Sequence, residues 1–118
     1  MKAYRMASTA GLKKHAPFPV PSLRDDKTIE LADMFKMLGD PSRLRIVIAT
    51  LEGPRSVGEI AEALGLSLSL VSHHLRLLRA ARLVTADRRG KQIFYMIHDQ
   101  HVAHVIADMI AHVNEDAE

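Results

Sequence analysis

SVGEIAEALGLSLSLVSHHLRLLRAARLV, residues 56–84, holds two short helices and the turn between them. Ser56-Val57-Gly58-Glu59 has the form of a capping box, in which the serine hydroxyl accepts from the third helical amide and the glutamate reaches back. Ile60, Ala61 and Leu64 follow at helical spacing, and Gly65 closes the helix. Ser67 stands where a cap is needed for a second helix, running to about Ala81 with Leu68, Val71, Leu75 and Leu78 turned inward. Two short helices joined by a Gly-containing turn form the pattern of a helix-turn-helix.

Downstream, the period changes. Leu83–Ala86 and Gln92–Ile97 read as strands joined by Asp87-Arg88-Arg89-Gly90-Lys91, and Asp99 caps a last helix. A basic hairpin directly after a helix-turn-helix makes a winged helix. Upstream, Ile29, Leu31, Ala32, Met34, Phe35 and Leu38 mark a helix that begins near Asp25 with acids in its first turn and ends at Gly39. Asp40-Pro41 opens the next, Asp as the cap and Pro at the first helical position, where no amide donor is needed. Leu44, Ile46, Val47, Ile48 and Leu51 give it an apolar side, and Gly53-Pro54 stops it. The expected fold is mainly α with a small β-hairpin, a winged helix-turn-helix over residues 25–118. Residues 1–24 contain Pro17, Pro19 and Pro21, lack helical periodicity, and read as a flexible basic N-terminal arm.

A chain of 118 residues with 4% aromatics supports one modest, aliphatic core. It has no cysteine, which excludes disulfides, thiolate metal ligands and cysteine nucleophiles. It has no apolar run long enough for a transmembrane helix and no signal-peptide core, so the cytoplasm is the expected location. The net charge of +2 is unevenly spread. Lys2, Arg5, Lys13, Lys14 and Arg24 precede the first acid; Arg76, Arg79, Arg82, Arg88, Arg89 and Lys91 stand against Asp87 alone. From Asp99 onward there are five acids and no Lys or Arg. A basic middle and an acidic end suit different partners.

The second helix of the pair carries Ser67, Ser69, Ser72, His73 and Arg76 as candidate DNA contacts, with His74 beside them. Short polar side chains near a helix N-terminus reach base edges in a major groove, and arginine pairs with guanine or anchors a phosphate. Arg88, Arg89 and Lys91 at the hairpin tip suit phosphates or the adjacent minor groove. The bland alternative is a solvated, charged helix and turn.

FKMLGDPSRLRIV (35–47), the stretch 56–84 and RRGKQIFYMIHD (88–99) together resemble the ArsR/SmtB family of metal-responsive winged-helix repressors, over roughly residues 28–115. The resemblance implies a homodimer, packed through its first and last helices, that binds an inverted-repeat operator in double-stranded DNA and releases it when metal binds. It implies no enzyme and no membrane partner. Many relatives carry cysteines near the positions of Arg55-Ser56-Val57; their absence here removes the thiolate type of site.

The last helix, within HDQHVAHVIADMIAHVNE (98–115), divides into two stripes. At about 100° per residue, His101, His104, Asp108, His112 and Glu115 share one side, and Val102, Val105, Ile106, Met109, Ile110 and Val113 share another. A solvated face explains a polar stripe, but such faces usually carry Lys and Arg, and this one has none. His101 and His112 are eleven residues apart, roughly 16 Å along the axis, against metal–ligand bonds of about 2 Å. One chain cannot close such a site; two antiparallel copies can, with a two-fold axis near Ala107. Asp99 and His101 of one chain then meet His112 and Glu115 of the other, giving two sites per dimer. Asp99 and His101 would diverge within a regular helix, unless Asp99 lies at the cap. These four also match the D-x-H-x10-H-x2-E pattern of zinc-sensing relatives, and the resemblance implies a bond from the second ring nitrogen of His112 to the main-chain carbonyl of Arg82. A nitrogen–oxygen set of four suits Zn2+, with Co2+ next; Ni2+ prefers more ligands, and His15, His98, His104 or Asp108 would have to join. His104 and Asp108 are outside the family pattern and read as a competing pair or an outer layer of partners. Two rivals remain: a winged-helix regulator of another signal, and a small metalloenzyme, which four protein ligands on the ion would leave without an open position.

Overall fold

The computed structural model describes residues 17–115; the expectations for residues 1–16, His15 among them, and for 116–118 lie outside the described residues. Five helices and three short strands follow in the order α1 (Asp25–Leu38), α2 (Pro41–Ala49), β1 (Arg55–Ser56), α3 (Val57–Leu64), α4 (Leu68–Ala80), β2 (Val84–Arg89), β3 (Gln92–Ile97) and α5 (Gln100–Glu115). The antiparallel sheet has the order β1-β3-β2. This is a winged helix-turn-helix. Residues 17–24 form neither helix nor strand and are exposed.

Local chemistry sets the helix ends. Asp40 accepts from the amide of Arg43 at 2.9 Å, with Pro41 at the first helical position. Ser56 and Glu59 complete the capping box, the Glu59 amide donating to Ser56 Oγ at 3.2 Å and the Ser56 amide to Glu59 Oε1 at 2.9 Å. Gly65 ends α3 in the left-handed conformation, where a Cβ would be strained, and Ser67 Oγ accepts from Leu70 at 3.1 Å to begin α4. The Ser56 amide holds the Glu59 carboxyl below its ordinary pKa, burial opposes this in part, and the Ser56 hydroxyl and Arg55 lower it further.

The core is aliphatic. Ile46 and Val47 from α2, Ile60 and Ala61 from α3, Val71, Leu75 and Leu78 from α4, Leu83 and Val84 at the start of β2, and Ile106 from α5 form one cluster. A leucine as enclosed as Leu75 is worth about 2–5 kcal/mol relative to alanine. The two outer helices contribute little: α1 buries no residue and α5 only Ile106.

Three details differ from expectation. Strand β2 runs on to Arg89 and the hairpin closes over Gly90, whose φ is 65°, so Asp87, Arg88 and Arg89 belong to the ladder and not to a five-residue loop. Strand β1 was not legible, because two residues carry no alternation; it exists because Arg55 and Ser56 pair with Tyr95 and Phe94. Leu68 is 60% exposed and not inward. It lies in the first turn of α4, at the margin of the stripe formed by Val71, His74, Leu75 and Leu78, where nothing covers it.

Candidate functional site

Helix α4 has one buried side, and its opposite side carries the polar candidates. Ser69, His73 and Arg76, at i, i+4 and i+7, are exposed; Ser72, beside them, is half-buried. Ser67 is exposed too, but its hydroxyl is already used as the cap and lies 3.4 Å from Ser69 Oγ. His74 points the other way. It is only 8% exposed, its Nδ1 has no hydrogen-bond partner, and it belongs with the core, not with the exposed polar candidates. Burial lowers its pKa; Asp40 pulls it back up, and Arg43 and His73 lower it further.

In the wing, strand geometry separates the two arginines. Arg88 pairs with Ile93 and Arg89 with Gln92, and successive residues point to opposite faces. Arg89 shares a face with Asp87 and donates from Nε to its carboxylate at 3.0 Å, with its guanidinium 5.4 Å from the Phe94 ring centre. Arg88 and Lys91 are exposed, and neither takes part in an ion pair among the described residues.

At the start of α5, Asp99 is the helix cap. Its Oδ1 accepts from the Val102 amide at 3.1 Å and its carbonyl from the Ala103 amide at 3.2 Å. The same Oδ1 lies 3.7 Å from His101 Nδ1, so the cap position brings together two side chains that a regular helix would separate. The Val102 amide holds the Asp99 carboxyl below its ordinary pKa, burial opposes, and His101 and His98 lower it further. His101 is almost wholly exposed. His112 and Glu115, one turn apart at the other end of α5, are exposed as well, as are His104 and Asp108 between the two ends. Within one chain these do not converge: among the described residues, no group of three or more His, Asp and Glu side chains is placed to hold an ion. His98 follows β3 and donates its amide to the Leu83 carbonyl at 3.0 Å, while its Nδ1 is buried without a partner. Next to it, Arg82 turns the chain from α4 into β2 with a φ of 62°.

Two apolar grooves run beside α5. The first lies against α1 and is lined by Leu31, Phe35, Val102 and Val105, with His98, Asp99 and His101 at one end. The second is lined by Phe35, Leu44, Ile48, Met109 and Val113. Ile29, Leu31 and Phe35 of α1 and Val105, Met109 and Val113 of α5 are large apolar side chains left in the open. Residue spacing identified them as apolar, but not that the chain's own core would leave them uncovered. No described helix is long and apolar enough to cross a membrane.

Comparison with known proteins agrees with this architecture. Residues 40–86 match the bacterial regulatory proteins of the arsR family. The chain is 39% identical over 101 residues to the HTH-type transcriptional repressor SmtB of Mycobacterium tuberculosis, covering 85% of this chain and 73% of that protein. It is 39% identical over 94 residues to the transcriptional regulator NmtR of the same organism, covering 80% and 78%. The solution structure of apo-NmtR superposes with a TM-score of 0.67 at 37% identity, over 85% of this chain and 84% of that one. A homodimeric winged helix-turn-helix DNA-binding domain from Mycobacterium bovis superposes with a TM-score of 0.73 at 30% identity, over 84% and 94%. These relatives are transcriptional regulators and not enzymes, and the chain belongs with them to the arsR family of bacterial regulatory proteins.

Proposed function

We propose that this protein is a homodimeric, metal-responsive transcriptional repressor of the cytoplasm, with Zn2+ as its effector and metal homeostasis genes as its targets. The metal-free dimer would bind an inverted-repeat operator. Ser69, Ser72, His73 and Arg76 would enter the major groove, Ser67 would hold the start of that helix, and Arg88, Arg89 and Lys91 would meet the backbone beside it. The reading of residues 1–24 as a basic arm that precedes the winged-helix domain belongs to the same proposal.

The observation that carries the metal reading is the pair at the head of α5: Asp99, fixed as a cap, with its Oδ1 3.7 Å from His101 Nδ1, on a helix without Lys or Arg. The partner's His112 and the partner's Glu115 would complete a set of two imidazoles and two carboxylates, which neutralises a divalent cation. Bound there, Zn2+ supplies a cross-link between the two last helices. His112 orients its second ring nitrogen toward a main-chain carbonyl at Arg82, tying the end of α5 to the end of the DNA-reading helix. Metal and operator then oppose each other by the same coupling energy.

The test is the fluorescence anisotropy of a labelled operator, selected from random DNA by the metal-free protein, titrated with and without Zn2+. Affinity should fall on metal loading. Unchanged operator affinity at saturating bound Zn2+ sinks the allosteric reading. One observation favours a second reading, a nickel- or cobalt-responsive regulator: His98, with its buried and unpartnered Nδ1, lines the same groove end as Asp99 and His101. The intensity of the Co2+ absorption spectrum separates the two, strong for a four-coordinate site and weak for an octahedral one.

A further inference from the structure

We propose a third metal position, on the two-fold axis of the dimer, formed by His104 and Asp108 of both chains. It rests on the antiparallel pairing of α5 proposed above and adds a site that this pairing does not need. The midpoint of His101 and His112 falls between residues 106 and 107, and that of Asp99 and Glu115 falls on residue 107. The midpoint of His104 and Asp108 is residue 106. Any register that sets the first pairs against their copies therefore sets His104 close to the partner's Asp108, and Asp108 close to the partner's His104, beside the axis.

The side chains suit the position. Both are exposed on α5, four residues apart, and so stand one above the other on the same face, as metal-chelating pairs on helices do. They lie on the stripe shared with His101, His112 and Glu115, away from Ile106, which faces the core. A two-fold axis perpendicular to both helices maps this rim onto its copy on the same side. Helix axes pack about 8–10 Å apart, and a metal–ligand bond adds only about 2 Å, so imidazole and carboxylate groups rising from both rims can meet at the midline.

Charge makes the same point. Asp108 makes no ion pair among the described residues, and its helix carries no Lys or Arg. In the dimer the two Asp108 carboxylates would stand near each other, a repulsion that a divalent cation removes. Two neutral imidazoles and two carboxylates is also the donor set at each outer site, so each ion in the row is locally neutralised. Neighbouring ions then sit about 9 Å apart along the axis without large mutual repulsion.

The experiment is equilibrium dialysis of the full-length dimer against Zn2+ alone, with protein-bound metal counted by mass spectrometry. The native protein should bind three ions per dimer, and His104→Ala with Asp108→Asn two. The pair His101→Ala and His112→Ala should keep one. All of these residues are exposed, and circular dichroism should show unchanged helix content. Two ions per native dimer, or three that survive the His104 and Asp108 changes, overturn the dyad site and leave the outer sites standing. No bound metal in the native protein overturns both proposals.

Discussion

His74 shows how one residue position decides between contact and core. Its neighbour His73 faces outward, while His74 is enclosed with its Nδ1 unpartnered. The groups that face it are Asp40, the cap of α2, with Arg43 from α2 and His73 from α4. Burial lowers its pKa below the ordinary 6.5, and the Asp40 carboxylate offsets only part of that. The sign of the pH dependence follows. The unfolded chain takes up a proton on this histidine near its ordinary pKa, before the folded chain does. Stability contributed by neutral His74 is complete above about pH 6.5 and declines as the pH falls from there through the lower folded value. Melting temperatures measured between pH 8 and pH 5 should therefore drop on the acid side. His74→Gln, which keeps a polar group of similar reach but cannot titrate, should flatten that drop whatever its effect at pH 8. Parallel profiles for the two proteins would show that the acid sensitivity lies elsewhere.

The wing assigns different tasks to neighbouring charges. Arg89 is engaged by Asp87 and rests near the Phe94 ring, whereas Arg88, on the other face of the strand, has no such partner among the described residues. An arginine already paired with a carboxylate has less charge to offer a phosphate. Arg88→Ala removes one phosphate contact from each wing of the proposed dimer, and should therefore weaken operator binding and reduce the slope of log affinity against log salt by about 2. Arg89→Ala should change the slope by less, as anisotropy titrations over a range of salt would show; equal slopes would refute the distinction. This division could not be seen in the run Asp87-Arg88-Arg89-Gly90-Lys91, whose charges and glycine read as one loop. Strand pairing to Ile93 and Gln92 extends β2 into it, and pairing is a long-range fact. The helices were legible for the opposite reason. Asp40, Ser56, Ser67 and Asp99 act on amides three residues away, so cap chemistry is written locally. The nearness of Asp99 to His101 was legible on the same terms. The outward turn of Leu68 was not, since periodicity gives a side chain's direction but not what stands in front of it.

The molecule as a whole has an inner core that one chain completes and an outer apolar surface that it does not. α2, α3, α4 and the base of β2 supply nearly all the buried side chains, while α1 buries none and α5 one. Phe35 lines both grooves beside α5 and is 56% exposed, on a helix whose Ile29 and Leu31 are also in the open. Contiguous apolar surface of this kind marks an interaction site. In the proposed dimer it is covered by a second copy through the first and last helices, an arrangement that also holds two DNA-reading helices at a fixed separation. A negative charge at Phe35 would have to be desolvated at that contact but would remain in water on a single chain. Phe35→Glu should therefore sediment as a monomer where the native protein is a dimer, with helix content by circular dichroism close to native because the inner core is untouched. Operator affinity should fall by about 10²–10⁴-fold, since two linked half-site contacts become two separate ones. If the variant stays dimeric, the dimer forms through another surface, and the antiparallel pairing of α5 falls with it.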